Sequence, residues 1–500
     1  MGIRVKMRLY KILLGVLLAG FLMGCTKQEG PASTAIQQYN TNRPNIVFYL
    51  ADDQDYTDYG VYGNKKVDTS AVDRLAKEGM YFGNAFTGQA ICAPSRSQLF
   101  TGNYPIKNGA FANHTPTKPN IDAVTKKMRA LGYEVVLAGK SHVRPESVYD
   151  WDREWEPVPK SGVPRDYIPL EDIESYFLTA TKPFVMFIAS KYPHGKYFTV
   201  EDPVPESLTF YPHDEHLKTN PDYIAKRAGY YRSIQEDNTQ LKYVLDMVDR
   251  ILPDNTVFIY SADHGVSGKF TVRDIGLKVP FVVRWPGVVP ANSHSEQLIH
   301  FTDVLPTFID IAGGATDSEM DGKSFLPLLR GIDRPIHQYV YGISTNQNII
   351  NAHVFPSRMI RDKRFKYIRN FNALDVLNEN LTDNENANVF LRLGALKHAD
   401  TPFEELYDLE ADPFEKNNLI NAPHMRDVVE RLKTELFSWM EKQGDFLDEE
   451  MGNVPLLYAP TFKLDQNNPL KKTRLKPEHL NILKEDDYLI IEHWQHRNEE

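Results

Sequence analysis

Two cysteines in 500 residues leave this chain almost no scope for disulfide chemistry. Cys25 closes an N-terminal apolar segment, so Cys92 is not half of a structural bridge even where the compartment would permit one. Positive charge is also short: 57 Lys and Arg stand against 67 Asp and Glu, a net charge of −10. That balance argues against a nucleic-acid partner, and any anionic ligand must be drawn by a local cluster of cations. Long apolar runs are missing too. The one example, Ile12 to Met23, is too short for a stable membrane span. Neither internal repeats nor low-complexity tracts occur, so the chain reads as an ordinary large globular protein with room for more than one domain.

The N-terminus is a targeting segment, with Arg4, Lys6, Arg8 and Lys11 ahead of the apolar run. The run ends Leu22-Met23-Gly24-Cys25, which resembles a bacterial lipobox. The resemblance implies removal of residues 1–24, lipidation of Cys25, and an exported, membrane-anchored lipoprotein of the periplasm or cell surface. Residues 25–43 are polar and aperiodic, as expected of a tether.

Beyond it, short apolar runs each end in polar residues able to do chemistry. Asn45 to Leu50 precedes Asp52 and Asp53; Glu134 to Ala138 precedes Lys140 and His142; Phe184 to Ser190 precedes His194; Thr256 to Tyr260 precedes Asp263 and His264. Such runs suit buried parallel strands, and ligands of open α/β sheets collect at the carboxyl ends of their strands. Asp68 to Gly79, Ala123 to Ala130 and Pro221 to Leu252 have helical patterning. The texture changes near His337. Ser357 to Ile360 and Arg364 to Ile368 predict two paired strands, and Val428, Leu432, Leu436 and Trp439 mark one face of a later helix. The expected division is a catalytic domain over 44–336, a subdomain over 337–444 and a polar extension over 445–500.

The stretch Cys92-Ala93-Pro94-Ser95-Arg96, followed by Thr101-Gly102, resembles the signature of the type I sulfatases. In that family a maturation enzyme oxidises the cysteine to formylglycine, and its hydrated aldehyde is the nucleophile. A thiol attacking sulfur would leave an adduct with no easy exit. A gem-diol can attack with one hydroxyl and collapse through the other, splitting one hard step into two. Ser97 to Phe100 is expected to form the first turn of a helix whose dipole favours an anion.

The resemblance extends from about Pro44 to Gly444. It includes Ala51-Asp52-Asp53, Gly139-Lys140-Ser141-His142, Pro193-His194, Ser261-Ala262-Asp263-His264-Gly265 and Trp285-Pro286-Gly287. Ser141 and Arg144 depart from the family pattern. The implied fold is an alkaline-phosphatase-like α/β sandwich with a large, mixed, mostly parallel sheet and a smaller C-terminal α+β subdomain with an antiparallel sheet. Asp52, Asp53, Asp263 and His264, with the modified Cys92, would hold one divalent ion. Three carboxylates favour calcium. Arg96, Lys140, His142, His194 and Lys269 would complete the catalytic set: Arg96 as a forked donor to sulfate oxygens or to the nucleophile's own hydroxyl, Lys140 and Lys269 on sulfate oxygens, His142 orienting or deprotonating the hydrate, His194 contacting the sulfate and protonating the leaving group. The gap from Asp263 to Lys269 is short for the family.

The implied substrate is a sulfated polysaccharide or its fragments, either algal, such as ulvan, or a glycosaminoglycan. Gly139 to Tyr149 and Arg358 to Phe371 look closer to the heparan N-sulfatase (sulfamidase) branch. Two other classes stay open: a phosphatase or phosphodiesterase of the same superfamily, and an inactive glycan-binding lipoprotein.

Overall fold

The strand Asn45–Asp52 is buried along its whole length and apolar from Ile46 to Ala51 because both of its faces are covered. Ile46, Phe48 and Leu50 enter one hydrophobic core, and Val47, Tyr49 and Ala51 enter another on the opposite side. This is the two-residue period of a strand sandwiched between helical layers. A computed structural model describes residues 43–344, 356–371 and 401–447, together with the backbone of short strands at 453–458, 464–465, 468–472 and 490–495. The leader, Cys25 and the tether as far as Asn42 lie outside the described residues. Among the described residues no helix is long and apolar enough to cross a membrane.

In the catalytic region the strands are β1 (Asn45–Asp52), β2 (Met80–Phe82), β3 (Ala85–Phe86), β4 (Glu134–Gly139), β5 (Arg153–Trp155), β6 (Phe184–Pro193), β7 (Thr256–Ala262), β8 (Lys278–Val279), β9 (Phe281–Arg284), β10 (Ser293–Ser295) and β11 (Ile299–His300). Eight of them form one sheet in the order β10-β2-β9-β7-β1-β6-β4-β5. Only β9 runs against its neighbours, so the sheet is mixed and mostly parallel, as expected. β3, β8 and β11 make a small separate sheet.

Register explains where the polar residues go. Ala51 pairs with Ala262, Leu50 with Ala189, and Gly139 with Ala189. Asp52, Lys140 and Asp263 therefore leave their parallel strands at one level, along one edge of the sheet. Gly139 permits this. Its φ is +111°, and a Cβ there would stand 2.1 Å from the Ala189 carbonyl oxygen.

The helices match their sequence signals closely. Ser70–Glu78 stops at Gly79, and Pro221–Ile251 starts at Asn220, whose side chain accepts from the backbone N–H groups of Asp222 and Tyr223. One expectation is corrected. The helix placed from Ser97 begins at Cys92 and runs to Thr101. Pro94 falls in its first turn, where its missing N–H costs nothing.

The C-terminal subdomain is a four-stranded antiparallel sheet of β12 (Val340–Ser344), β13 (Ser357–Arg361), β14 (Phe365–Asn370) and β15 (Glu404–Asp408). The helix Arg426–Gln443 covers it through Leu432, Leu436, Trp439 and Met440. The packed chain continues past Gly444: Leu447 is fully buried, and Asp445 accepts a hydrogen bond at 2.9 Å from Nη2 of the fully buried Arg358.

Candidate active site

The carboxyl ends of β1 and β7 deliver Asp52, Asp53, Asp263 and His264 to one point, all buried. Asp53 adopts a left-handed φ of +65°, which turns the chain sharply at the strand end. The helix Cys92–Thr101 meets them head-on. Cys92 is its first residue, so its free N–H groups and dipole favour negative charge at this spot. The Cys92 thiol lies 3.4 Å from His264 Nε2, 3.6 Å from Asp52 Oδ1, 3.7 Å from Asp53 Oδ1 and 3.8 Å from Lys269 Nζ.

Cations sit between the carboxylates. Lys140 Nζ donates to both oxygens of Asp52 at 2.7 and 2.6 Å, and Lys269 Nζ to both oxygens of Asp53 at 3.0 and 2.8 Å. Arg96 is fully buried. It bonds to Asp263 Oδ2 through Nε and Nη2, to Asp52 Oδ1 through Nη2, and to the Lys140 carbonyl through Nη1. His194 places Nε2 3.5 Å from Asp53 Oδ2, while its Nδ1 lies 2.7 Å from the Gly195 carbonyl and 2.9 Å from Arg165 Nη2. All ten residues singled out in the sequence thus meet here, Lys269 included despite its short spacing. A loop over Gly265–Gly268, held by Ser267 to Asp55, returns Lys269 to the Cys92 sulfur.

Burial alone would raise the Cys92 thiol, but Lys140, Lys269 and His264 pull it well below its ordinary value. Burial likewise raises Asp52, and Lys140 and Arg96 outweigh it and hold that carboxyl low. Asp263 goes the other way. Its burial, reinforced by the nearby Asp52 and Cys92 charges, pushes it up. Crowded carboxylates of this kind call for a cation. Asp52, Asp53 and Asp263 offer donor atoms within 4.8 Å of one another, as do Cys92, Asp263 and His264, and Asp53, Cys92 and His194. The oxygen-rich set fits a hard ion such as calcium, with His264 as its one softer member.

Sequence reading missed two residues at this site. His114 lies 3.3 Å from His142, Nδ1 to Nε2, with ring centroids 4.9 Å apart. Both histidines have left-handed backbones, φ +74° and +60°. Burial, then the neighbouring His142 and Arg144, push His114 down to about 4, so it is neutral. Asn113 bridges His114 to the catalytic helix. They follow only the three-residue stretch Ala110-Phe111-Ala112, too short to read as a buried strand, so the signal that exposed the others was absent.

The family model for sulfatases matches residues 44–315, and one for the N-sulphoglucosamine sulphohydrolase C-terminal region matches 262–390. An ulvan-active sulfatase of Formosa agariphila is 62% identical over 457 residues, covering 91% of each chain. The chain belongs to the sulfatase family. It is a sulfuric ester hydrolase. The human N-sulphoglucosamine sulphohydrolase is 24% identical, over 80% of this chain and 90% of its own. Among solved structures, a protein in complex with its substrate D-glucosamine-2-N,6-O-disulfate superposes with a TM-score of 0.64 at 19% identity, covering 82% of this chain and all of the other. A 2-O glycosaminoglycan sulfatase also gives 0.64, at 23% identity and 81% and 93% coverage. These likenesses establish the alkaline-phosphatase-like fold.

Proposed function

We propose that this sulfatase removes sulfate esters from a sulfated polysaccharide or its oligosaccharides, with ulvan fragments as the first substrate class to test. The observation that carries the reading is the placement of Cys92 at a helix N-terminus, within 3.4–3.8 Å of His264, Asp52, Asp53 and Lys269. The high identity to an ulvan-active sulfatase supports the substrate class.

In this reading a formylglycine hydrate at position 92 supplies one hydroxyl to attack sulfur and a second whose collapse frees the sulfate. Asp52, Asp53, Asp263 and His264 would hold one calcium ion, which would offset their charge and make a position-92 hydroxyl easier to deprotonate. Lys140 and Lys269 bind the equatorial sulfate oxygens, where charge grows in the transition state. Arg96, its guanidinium committed to Asp52 and Asp263, fixes the carboxylates and does not reach for substrate. His194 gives a proton from Nε2 to the departing sugar oxygen.

The leader and Cys25 support an exported lipoprotein that meets its maturation enzyme in the producing cell. Mass spectrometry of the tryptic peptide containing Cys92, from the native host, tests the nucleophile: the aldehyde is expected, and unmodified cysteine would favour the inactive glycan-binding reading. The C-terminal match to N-sulphoglucosamine sulphohydrolases favours a second substrate, N-linked sulfate. Sulfate release from ulvan oligosaccharides and from N-sulfoglucosamine, measured side by side, separates the two.

A further inference from the structure

The catalytic helix leaves the N–H groups of its first turn without partners in the helix. That of Ala93, directly after Cys92, donates to Asn113 Oδ1 at 3.3 Å. This bond fixes which way the Asn113 amide faces. With its oxygen committed to a donor, its Nδ2 hydrogens point to the other contact, His114 Nε2 at 3.3 Å. An amide nitrogen can only donate, so His114 Nε2 accepts and carries no proton.

A neutral imidazole has one proton, and that of His114 is therefore on Nδ1. The Nδ1 atom of His114 lies 3.3 Å from His142 Nε2 and donates to it. The same reasoning passes one ring further. His142 Nε2 accepts, so the His142 proton is on Nδ1, a buried atom that bonds to no protein group among the described residues. Turning the amide over would oppose two donors at Ala93, so the direction of the chain is set by the helix end itself.

We propose that Asn113 and His114 are positioning residues that keep the proton of His142 on Nδ1, so that in the resting enzyme His142 faces the site as a hydrogen-bond donor. This rests on the sulfatase reading for its purpose, but the proton's location does not. The two left-handed histidines fit such a role, since strained backbone persists where the surroundings dictate it.

The test is Asn113→Asp, which changes almost no volume and reverses the chain. The carboxylate still accepts from Ala93, but it now also accepts from His114 Nε2–H, moving each proton to the opposite nitrogen. Long-range proton–nitrogen spectra of histidine-labelled full-length protein, with His142 assigned through His142→Gln, report the tautomer without any substrate. The expected result is Nδ1–H in the parent and Nε2–H in Asn113→Asp, with kcat lower by about tenfold or more and KM little changed. Asn113→Ala, which removes the bias without reversing it, should fall between. An Nε2–H tautomer in the parent, or the same tautomer in both proteins, overturns the proposal. Absence of sulfate release by the parent would instead count against the sulfatase reading.

Discussion

Arg96 and Asp263 are both fully buried, and the guanidinium holds one carboxylate oxygen through Nε at 3.1 Å and Nη2 at 3.0 Å. Neither charge has water to fall back on, so removing one partner strands the other. Arg96→Ala should lose about 3–5 kcal/mol of stability as well as activity. Arg96→Lys should lose less stability but not recover activity, because an ammonium cannot serve Asp52, Asp263 and the Lys140 carbonyl from one plane. Denaturant melts alongside sulfate-release assays check both.

Lys269 is partly solvent-exposed, and among the described residues its ammonium bonds to the Asp53 carboxylate and the position-92 sulfur. Lys269→Ala should leave the fold intact and lower kcat/KM by about 10²–10³-fold, the usual cost of one lost transition-state donor. Unchanged kinetics would remove Lys269 from the catalytic set.

The calcium ion proposed for Asp52, Asp53 and Asp263 would tie folding to metal concentration. Calcium at 100 times its dissociation constant should add about 2.7 kcal/mol of stability. EGTA should abolish sulfate release, and calcium should restore it. Asp263→Asn should weaken binding in calorimetric titrations, and equal calcium affinity in that variant would rule out Asp263 as a ligand.

Asp237 is buried beneath the site and accepts a hydrogen bond from the Tyr49 hydroxyl at 2.8 Å. Burial raises its carboxyl to about 7. In the unfolded chain it ionises near 4, so at about pH 4 to 7 the folded protein keeps a proton that the unfolded chain has released. Raising pH through that window therefore favours unfolding. Asp237→Asn keeps an acceptor for Tyr49 and removes the penalty. It should match the parent below about pH 4 and exceed it by about 1–3 kcal/mol at pH 8. Melting curves across pH give the comparison.

Arg358 depends on Asp445, one residue beyond the end of the family resemblance. A chain ended at Gly444 should be less stable than one ended at Leu447 by about 3–5 kcal/mol, since only the first strands the buried guanidinium. Paired truncations, compared by thermal melting, decide it.

Asp52, Asp53, Asp263 and His264 were readable because each follows an apolar run, and a strand end is the one place where sequence position predicts spatial position. Lys140 and His194 were readable for the same reason. Lys269 required the loop through Gly265 and Ser267, whose path depends on the bond from Ser267 to Asp55. Asn113 and His114 gave no signal, since they sit in irregular chain and meet the site through left-handed turns. The helix start was misplaced because Pro94 reads as an interruption, although a first turn tolerates it.

The shared level of Asp52, Lys140 and Asp263 has an evolutionary corollary. Side chains within β1, β4, β6 and β7 can be exchanged among apolar types as long as volume is kept. Their lengths cannot drift. One inserted residue would move a ligand by about 3.3 Å and turn the strand's core-facing side outward. Insertions and deletions among descendants should therefore accumulate in the loops, leaving the spacing from each apolar run to its charged residue as the slowest-changing dimension of the gene.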